Sequence, residues 1–281
     1  MTAFDDLQTR LTGHLQQIVR DRSPSLGSAG HFYVQQYIQQ ELSQFGAVER
    51  HDFPYEGKSY TNWGLSLPGQ TAGPPIVIGA HYDSVPGSPG ADDNATGVAA
   101  LLELARAFAA DPPRSPLRLV AFDLEEYGMV GSRHYAQDFY GQHQPLRLML
   151  SLEMLGYCCQ TPNSQAYPPG LEKIYPNRGN FIAQVGPWLA VADMVRLWWG
   201  FRAAGVRSQW LPVVGQGYRV PDTRLSDHSP FWDLGYPAIM ITDTAFMRNP
   251  HYHQPTDTLE TLDLKFLTQV CHGLMSGLRG L

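Results

Sequence analysis

The sequence predicts an α/β protein, a three-layer αβα arrangement around a central, largely parallel mixed sheet. Two observations carry this. Short runs at 76–78 (IVI), 117–122 (LRLVAF), 147–155 (RLMLSLEML) and 238–242 (AIMIT) are almost continuously apolar, as strands covered on both faces are. Helix-like stretches separate them, and strands alternating with helices give parallel pairing with helices on each side of the sheet.

The elements follow in order. Phe4, Leu7, Leu11, Leu15 and Ile18, then Phe32, Val34, Tyr37, Ile38 and Leu42, recur at helical spacing and predict two helices within residues 1–45. Segments 48–55 and 59–67 read as two strands joined at Glu56-Gly57-Lys58, a hairpin. After the 76–78 strand, a Pro/Gly-rich loop leads to a helix over 95–110, stopped by Asp111-Pro112-Pro113. Short helices are expected at 131–139 and 229–234, an aromatic one at 188–201 with Trp198-Trp199 in the core, and a closing helix at 259–278. Segment 156–186, with four prolines and no periodicity, reads as a long loop, and 211–224 is loop-like. No repeat or linker divides the chain, so residues 1–281 are expected to form one catalytic domain with the N-terminal helices packed on it.

Composition narrows the function. With 43% hydrophobic residues and a net charge of −6, nothing suggests a nucleic-acid surface, and no apolar run approaches a membrane span. The acidic, amphipathic start MTAFDDLQTR is unlike a signal peptide, which leads to the expectation of a cytoplasmic protein. Cys158, Cys159 and Cys271 are odd in number and make no disulfide framework, so reduced thiols are expected.

The chemistry gathers at strand ends. His81 falls just past the 76–78 strand, where open α/β sheets bind ligands. Asp83 is placed to accept the spare N–H of its ring. The following loop ends in Asp92-Asp93-Asn94 before a helix. Glu125-Glu126 follows LVAFD; neighbouring side chains at a strand end point apart, so one carboxylate is free for a metal and the other for a water. An exposed acidic turn is the plain alternative. Glu153 is an acid within the apolar run LSLEML, and a buried carboxylate needs a metal or an arginine. The last clusters are Ser226-Asp227-His228 and Asn249-Pro250-His251-Tyr252-His253, with Asp257 shortly after.

In this order the motifs resemble the co-catalytic zinc aminopeptidases, whose relatives include glutamate carboxypeptidases and glutaminyl cyclases, over roughly residues 60–281. The resemblance implies a zinc-exopeptidase fold and two Zn2+ ions. His81 would bind the first, Asp93 would bridge both, and Glu126 with His253 would bind the second. Glu153 stands where the family more often has aspartate. Glu125 matches the general base and Tyr252 a donor to the developing oxyanion. Asp83 would support His81, and Asp257 would act similarly near His253. The implied substrate is a peptide with a free N-terminus, its side chain held by 156–186 and 211–224. A one-zinc glutaminyl cyclase with Asp227 as proton relay is the alternative; an inert binding domain of the same fold is a further one, though every ligand position holds a competent residue. His134 also matches the family and reads as structural.

Overall fold

A computed structural model describes residues 2–24 and 28–281; Met1, from which the expected cytoplasmic start was read, lies outside them. Two helices, α1 (Ala3–Ile18) and α2 (Ala29–Ser43), come first. Thr2 caps α1 reciprocally with Asp5, its hydroxyl taking the Asp5 N–H while the Asp5 carboxylate takes its own. A hairpin follows, β1 (Val48–Tyr55) and β2 (Lys58–Leu67). Its Glu56-Gly57 turn has both φ values positive, the backbone twist that two-residue hairpin loops require. Then come β3 (Ile76–His81), α3 (Gly97–Ala110), β4 (Leu117–Phe122), α4 (Val130–Gly141) and β5 (Leu148–Glu153). The second half adds β6 (Ile182–Pro187), α5 (Val191–Ala203), β7 (Ser208–Val213), α6 (Ser229–Asp233), β8 (Ala238–Thr242) and α7 (Leu264–Arg279).

The eight strands form one sheet in the order β1-β2-β4-β3-β5-β8-β6-β7. The centre, β4-β3-β5-β8, is parallel; β2 joins β4 and β6 joins β8 antiparallel. Alternation along each central strand divides the core. Ile76, Ile78, Leu117, Leu119, Leu148, Leu150, Ile239 and Ile241 face a layer with α1, α2, α3, α5 and α7. Val77, Val120, Phe122, Met149, Ala238 and Met240 face α4 and α6. This is the expected three-layer αβα architecture with its largely parallel mixed sheet. Among the described residues no helix is long and apolar enough to cross a membrane.

Four details differ from expectation. The segment read as a loop over 156–186 ends in a strand, β6, because the fully buried Gln184 interrupts its apolar pattern while its amide donates to Ser208 at 2.9 Å. The loop-like 211–224 begins inside β7, an edge strand, where Pro212 is tolerated. The closing helix starts at Leu264, where Asp263 caps the Phe266 amide, and Leu259–Thr261 is a separate turn. Trp199 is 60% exposed rather than in the core. Helix α5 instead meets α7 through glycines: a Cβ on Gly200 would lie 2.5–2.7 Å from the Gly273 and Gly277 backbone, so the helices approach too closely for larger side chains.

Candidate active site

Four neighbouring parallel strands end side by side and bring the predicted residues together. β3 ends in His81, β5 in Glu153, β4 runs into Asp123–Glu126, and β8 into the segment holding Tyr252 and His253. Asp93 arrives from the loop after β3, in an irregular turn at Ala91–Thr96 where its backbone leaves helical values (φ −101°, ψ 92°). The Asp93-Asn94 peptide is cis.

Two groups of three donors result, His81 with Asp93 and Glu153, and Asp93 with Glu126 and His253, sharing Asp93. Nε2 of His81 lies 3.2 Å from Asp93 Oδ1 and 3.6 Å from Glu153 Oε1. Nε2 of His253 lies 3.1 Å from Asp93 Oδ2 and 3.0 Å from Glu126 Oε2. Bonds of about 2.0–2.2 Å to a tetrahedral zinc put donors roughly 3.3–3.6 Å apart; the first group's 3.2 and 3.6 Å are close to this, and the second group's 3.1 and 3.0 Å are a few tenths of an ångström shorter. Both Nε2 atoms and Glu126 Oε1 are buried without a hydrogen bond among the described residues. Such atoms are costly to bury unless something else, such as a cation, meets them. The residues present therefore fit two divalent ions.

The electrostatics agree. Burial opposes a charge on His81, but Glu153, Glu125, Asp83 and Asp93 outweigh it and hold its pKa well above the usual value. His253 is likewise raised, to about 10, because Asp93 and Glu126 overcome its burial. Burial would raise Asp93, yet the two imidazoles hold it below the ordinary carboxylate range. Burial and the Asp93 charge push Glu126 up to about 7, against the His253 contact. The site thus demands positive charge, which metal ions supply more fully than protons on imidazoles.

Glu125 sits beside both groups, Oε2 at 4.0 Å from His81 Nε2. Burial, with Glu153, Asp227 and Glu126 adding to it, raises its pKa well above the ordinary value despite His81. Tyr252 stacks on the His253 ring at 3.8 Å between centroids, and burial keeps its hydroxyl protonated. Asp227 is buried nearby, burial pushing it up to about 7.

The supporting carboxylates are placed partly as expected. Asp83 Oδ1 lies 3.4 Å from His81 Nδ1, and the same carboxylate accepts the Glu125 and Glu126 amides at 3.1 and 3.2 Å. It ties the first donor group to the Glu125-Glu126 turn. Asp257 does not support His253. Its two oxygens accept the Asp92 and Asp93 amides at 2.9 and 3.1 Å and so hold the residue that the two donor groups share. His134 stacks on Phe53 at 5.3 Å. The thiols of Cys158, Cys159 and Cys271 are free and outside both donor groups.

Other contributors were missed in the sequence. The Ser226 hydroxyl donates to Glu153 Oε2 at 2.8 Å and fixes the longer acid; its signal was the Ser226-Asp227-His228 cluster itself. Asp92, passed over for Asp93, is fully buried, accepts from Asn249 at 2.7 Å and Gly156 at 2.9 Å, and shares a hydrogen bond with buried Asp243. Glu153 and Tyr252 also line a cavity of about 100 Å³ with Tyr167, Tyr175, Phe181 and Trp210.

With the geometry in place, comparison with known proteins is decisive. The model of peptidase family M28 matches residues 62–190 and 207–276. The chain belongs to peptidase family M28. Among its relatives, the Escherichia coli K12 protein YfbL is 39% identical over 259 residues, 86% of this chain and 77% of its own. The Bacillus subtilis aminopeptidase YwaD is 29% identical over 75% of this chain but only 44% of its own length. The chain thus spans less than half of that relative. In fold it is similar to the LapA aminopeptidase of Legionella pneumophila, with a TM-score of 0.72 at 19% identity, covering 98% of this chain and 70% of LapA. It is also similar to Porphyromonas gingivalis glutaminyl cyclase, with a TM-score of 0.70 at 19% identity, covering 99% and 98%. The M28 match makes the chain a peptidase, with peptides as its substrate class, and its two donor groups are candidates for metal binding.

Proposed function

We propose that this M28 peptidase is an aminopeptidase dependent on two zinc ions. The observation that carries the reading is the pair of three-donor groups sharing Asp93, with Glu125 and Tyr252 beside them. His81, Asp93 and Glu153 would hold one ion, and Asp93, Glu126 and His253 the other. Bound there, two such ions act as Lewis acids on the scissile carbonyl and lower the pKa of water toward 7.

The chain's own residues do the rest. Glu125, with a pKa raised by burial, takes the proton of the attacking water and returns it to the leaving amine. Tyr252, neutral at any working pH, donates its O–H where negative charge develops. The cavity holds the N-terminal side chain, and because Glu153 and Tyr252 are among the residues that line it, a seated side chain brings its carbonyl near them. Its walls, built from both segments expected to supply them, are largely aromatic and aliphatic, which favours apolar N-terminal residues. The free α-amine is a cation and falls among Glu125 and Glu153. A cyclase shares the fold, but donors for a second ion and the Glu125-Glu126 pair favour hydrolysis.

Glu125→Gln tests this. The variant is expected to bind zinc as before and lose about 10²- to 10⁴-fold in turnover, the usual worth of a positioned proton acceptor. Turnover at the original rate would refute the assignment.

A further inference from the structure

A buried cation from the N-terminal segment reaches under the loop that carries Asp93. Arg22 is fully buried. Its Nε donates to the Tyr82 carbonyl at 2.8 Å, Nη1 to those of Pro89 at 2.6 Å and Arg20 at 3.3 Å, and Nη2 to those of Gly90 at 2.8 Å and Asp93 at 3.1 Å. Its own amide donates to the Ser84 hydroxyl at 3.2 Å. Tyr82 follows His81 and Asp93 ends the loop, so one planar fork holds both limbs.

No carboxylate is among these hydrogen-bond partners. Burying a guanidinium is costly, and the usual remedy is a direct ion pair. Here the charge is met at longer range by Asp93, Asp257, Asp83 and Glu126, so none of their oxygens is taken up by it. The loop is shaped to this arrangement. Gly90 has φ 58°, and a Cβ there would lie 2.8–2.9 Å from both Nη atoms and 2.3 Å from the Asp93 carbonyl oxygen.

We propose that Arg22 is a positioning residue for the metal-binding loop, setting the spacing of His81 and Asp93 before any ion binds and making the N-terminal segment part of the catalytic unit. The proposal rests on the metallopeptidase reading for what the loop does. Arg22→Lys keeps the charge but not the five-donor fork, and Arg22→Ala removes both. For each, zinc affinity is measured by competition with a chromophoric chelator, with the unfolding midpoint of the metal-free protein and with kcat and KM at saturating zinc.

Both variants are expected to lose tenfold or more in zinc affinity, within the range for residues that orient ligands, and to lower kcat with little change in KM. Added guanidinium ion is expected to restore part of the affinity in Arg22→Ala only. A variant with a lower midpoint but the original zinc affinity and kcat would make Arg22 merely structural and overturn the proposal. If Arg22→Ala does not fold, Arg22→Lys decides alone. Zinc binding absent from the unmodified protein would instead overturn the metallopeptidase reading.

Discussion

Glu153→Asp probes the donor that departs from the usual residue of the family. The Glu153 carboxylate is held from two sides, Oε1 at 3.6 Å from His81 Nε2 and Oε2 accepting the Ser226 hydroxyl at 2.8 Å. Removing one methylene withdraws it by up to about 1.5 Å, to roughly 5 Å from the imidazole. Two donors on one zinc, each about 2.1 Å from it, lie no more than roughly 4.2 Å apart. Aspartate therefore shares an ion with His81 only if β5 shifts, and β5 is paired on both sides, with β3 and β8.

Residues that merely orient ligands are worth about 10- to 100-fold in metal affinity. Loss of a direct donor is accordingly expected to cost about 100-fold or more at the His81 ion and to leave the ion of Glu126 and His253 bound. Chelator competition, with zinc counted by elemental mass spectrometry, should show one tight equivalent and one weakened. Two tight equivalents with undiminished turnover would refute the reasoning, because they would show that Glu153 is not needed at its present length.

Two other perturbations test different parts of the structure. Ala183 lines the apolar cavity; Ala183→Phe should lower kcat/KM for leucyl and phenylalanyl substrates relative to alanyl ones, since each methylene in such a pocket is worth about 1–3 kcal/mol, and an unchanged ranking would place the side chain elsewhere. His228 is fully buried, burial pulling its pKa down to about 4 while Nε2 meets the Thr223 carbonyl at 2.8 Å. The unfolded chain then binds the extra proton between about pH 6.5 and 4, so this stability is complete above about 6.5 and falls with pH by up to about 1.4 kcal/mol per unit. Urea midpoints of the unmodified protein and His228→Gln should converge between pH 7.5 and 5; a constant gap would contradict this.

What the sequence revealed follows the range of the forces involved. His81 and Asp93 were legible because a strand end, a glycine-rich loop and a helix start lie within a few residues of one another, Glu126 because a pair of acids directly follows an apolar strand, and Glu153 because an acid inside an apolar strand needs a partner. Asp257 was misplaced because its partners, the Asp92 and Asp93 amides, are 165 and 164 positions away and no local pattern encodes that contact. Arg22 was invisible for the same reason, its distant carbonyl partners being 60 to 71 positions off. Strands β6 and β7 escaped notice because Gln184 and Pro212 disrupt the alternation that marks a strand, each tolerated only through a tertiary feature, the Ser208 bond and the sheet edge.

The most direct test of the central claim is metal content by elemental mass spectrometry on protein purified in zinc-replete buffer, paired with aminoacyl chromogenic substrates and a peptide beginning with glutamine. Two zinc equivalents, with chelator-sensitive release of apolar N-terminal residues, are predicted. Protein that retains no metal, or that retains one equivalent and forms pyroglutamate without releasing a residue, would contradict the account.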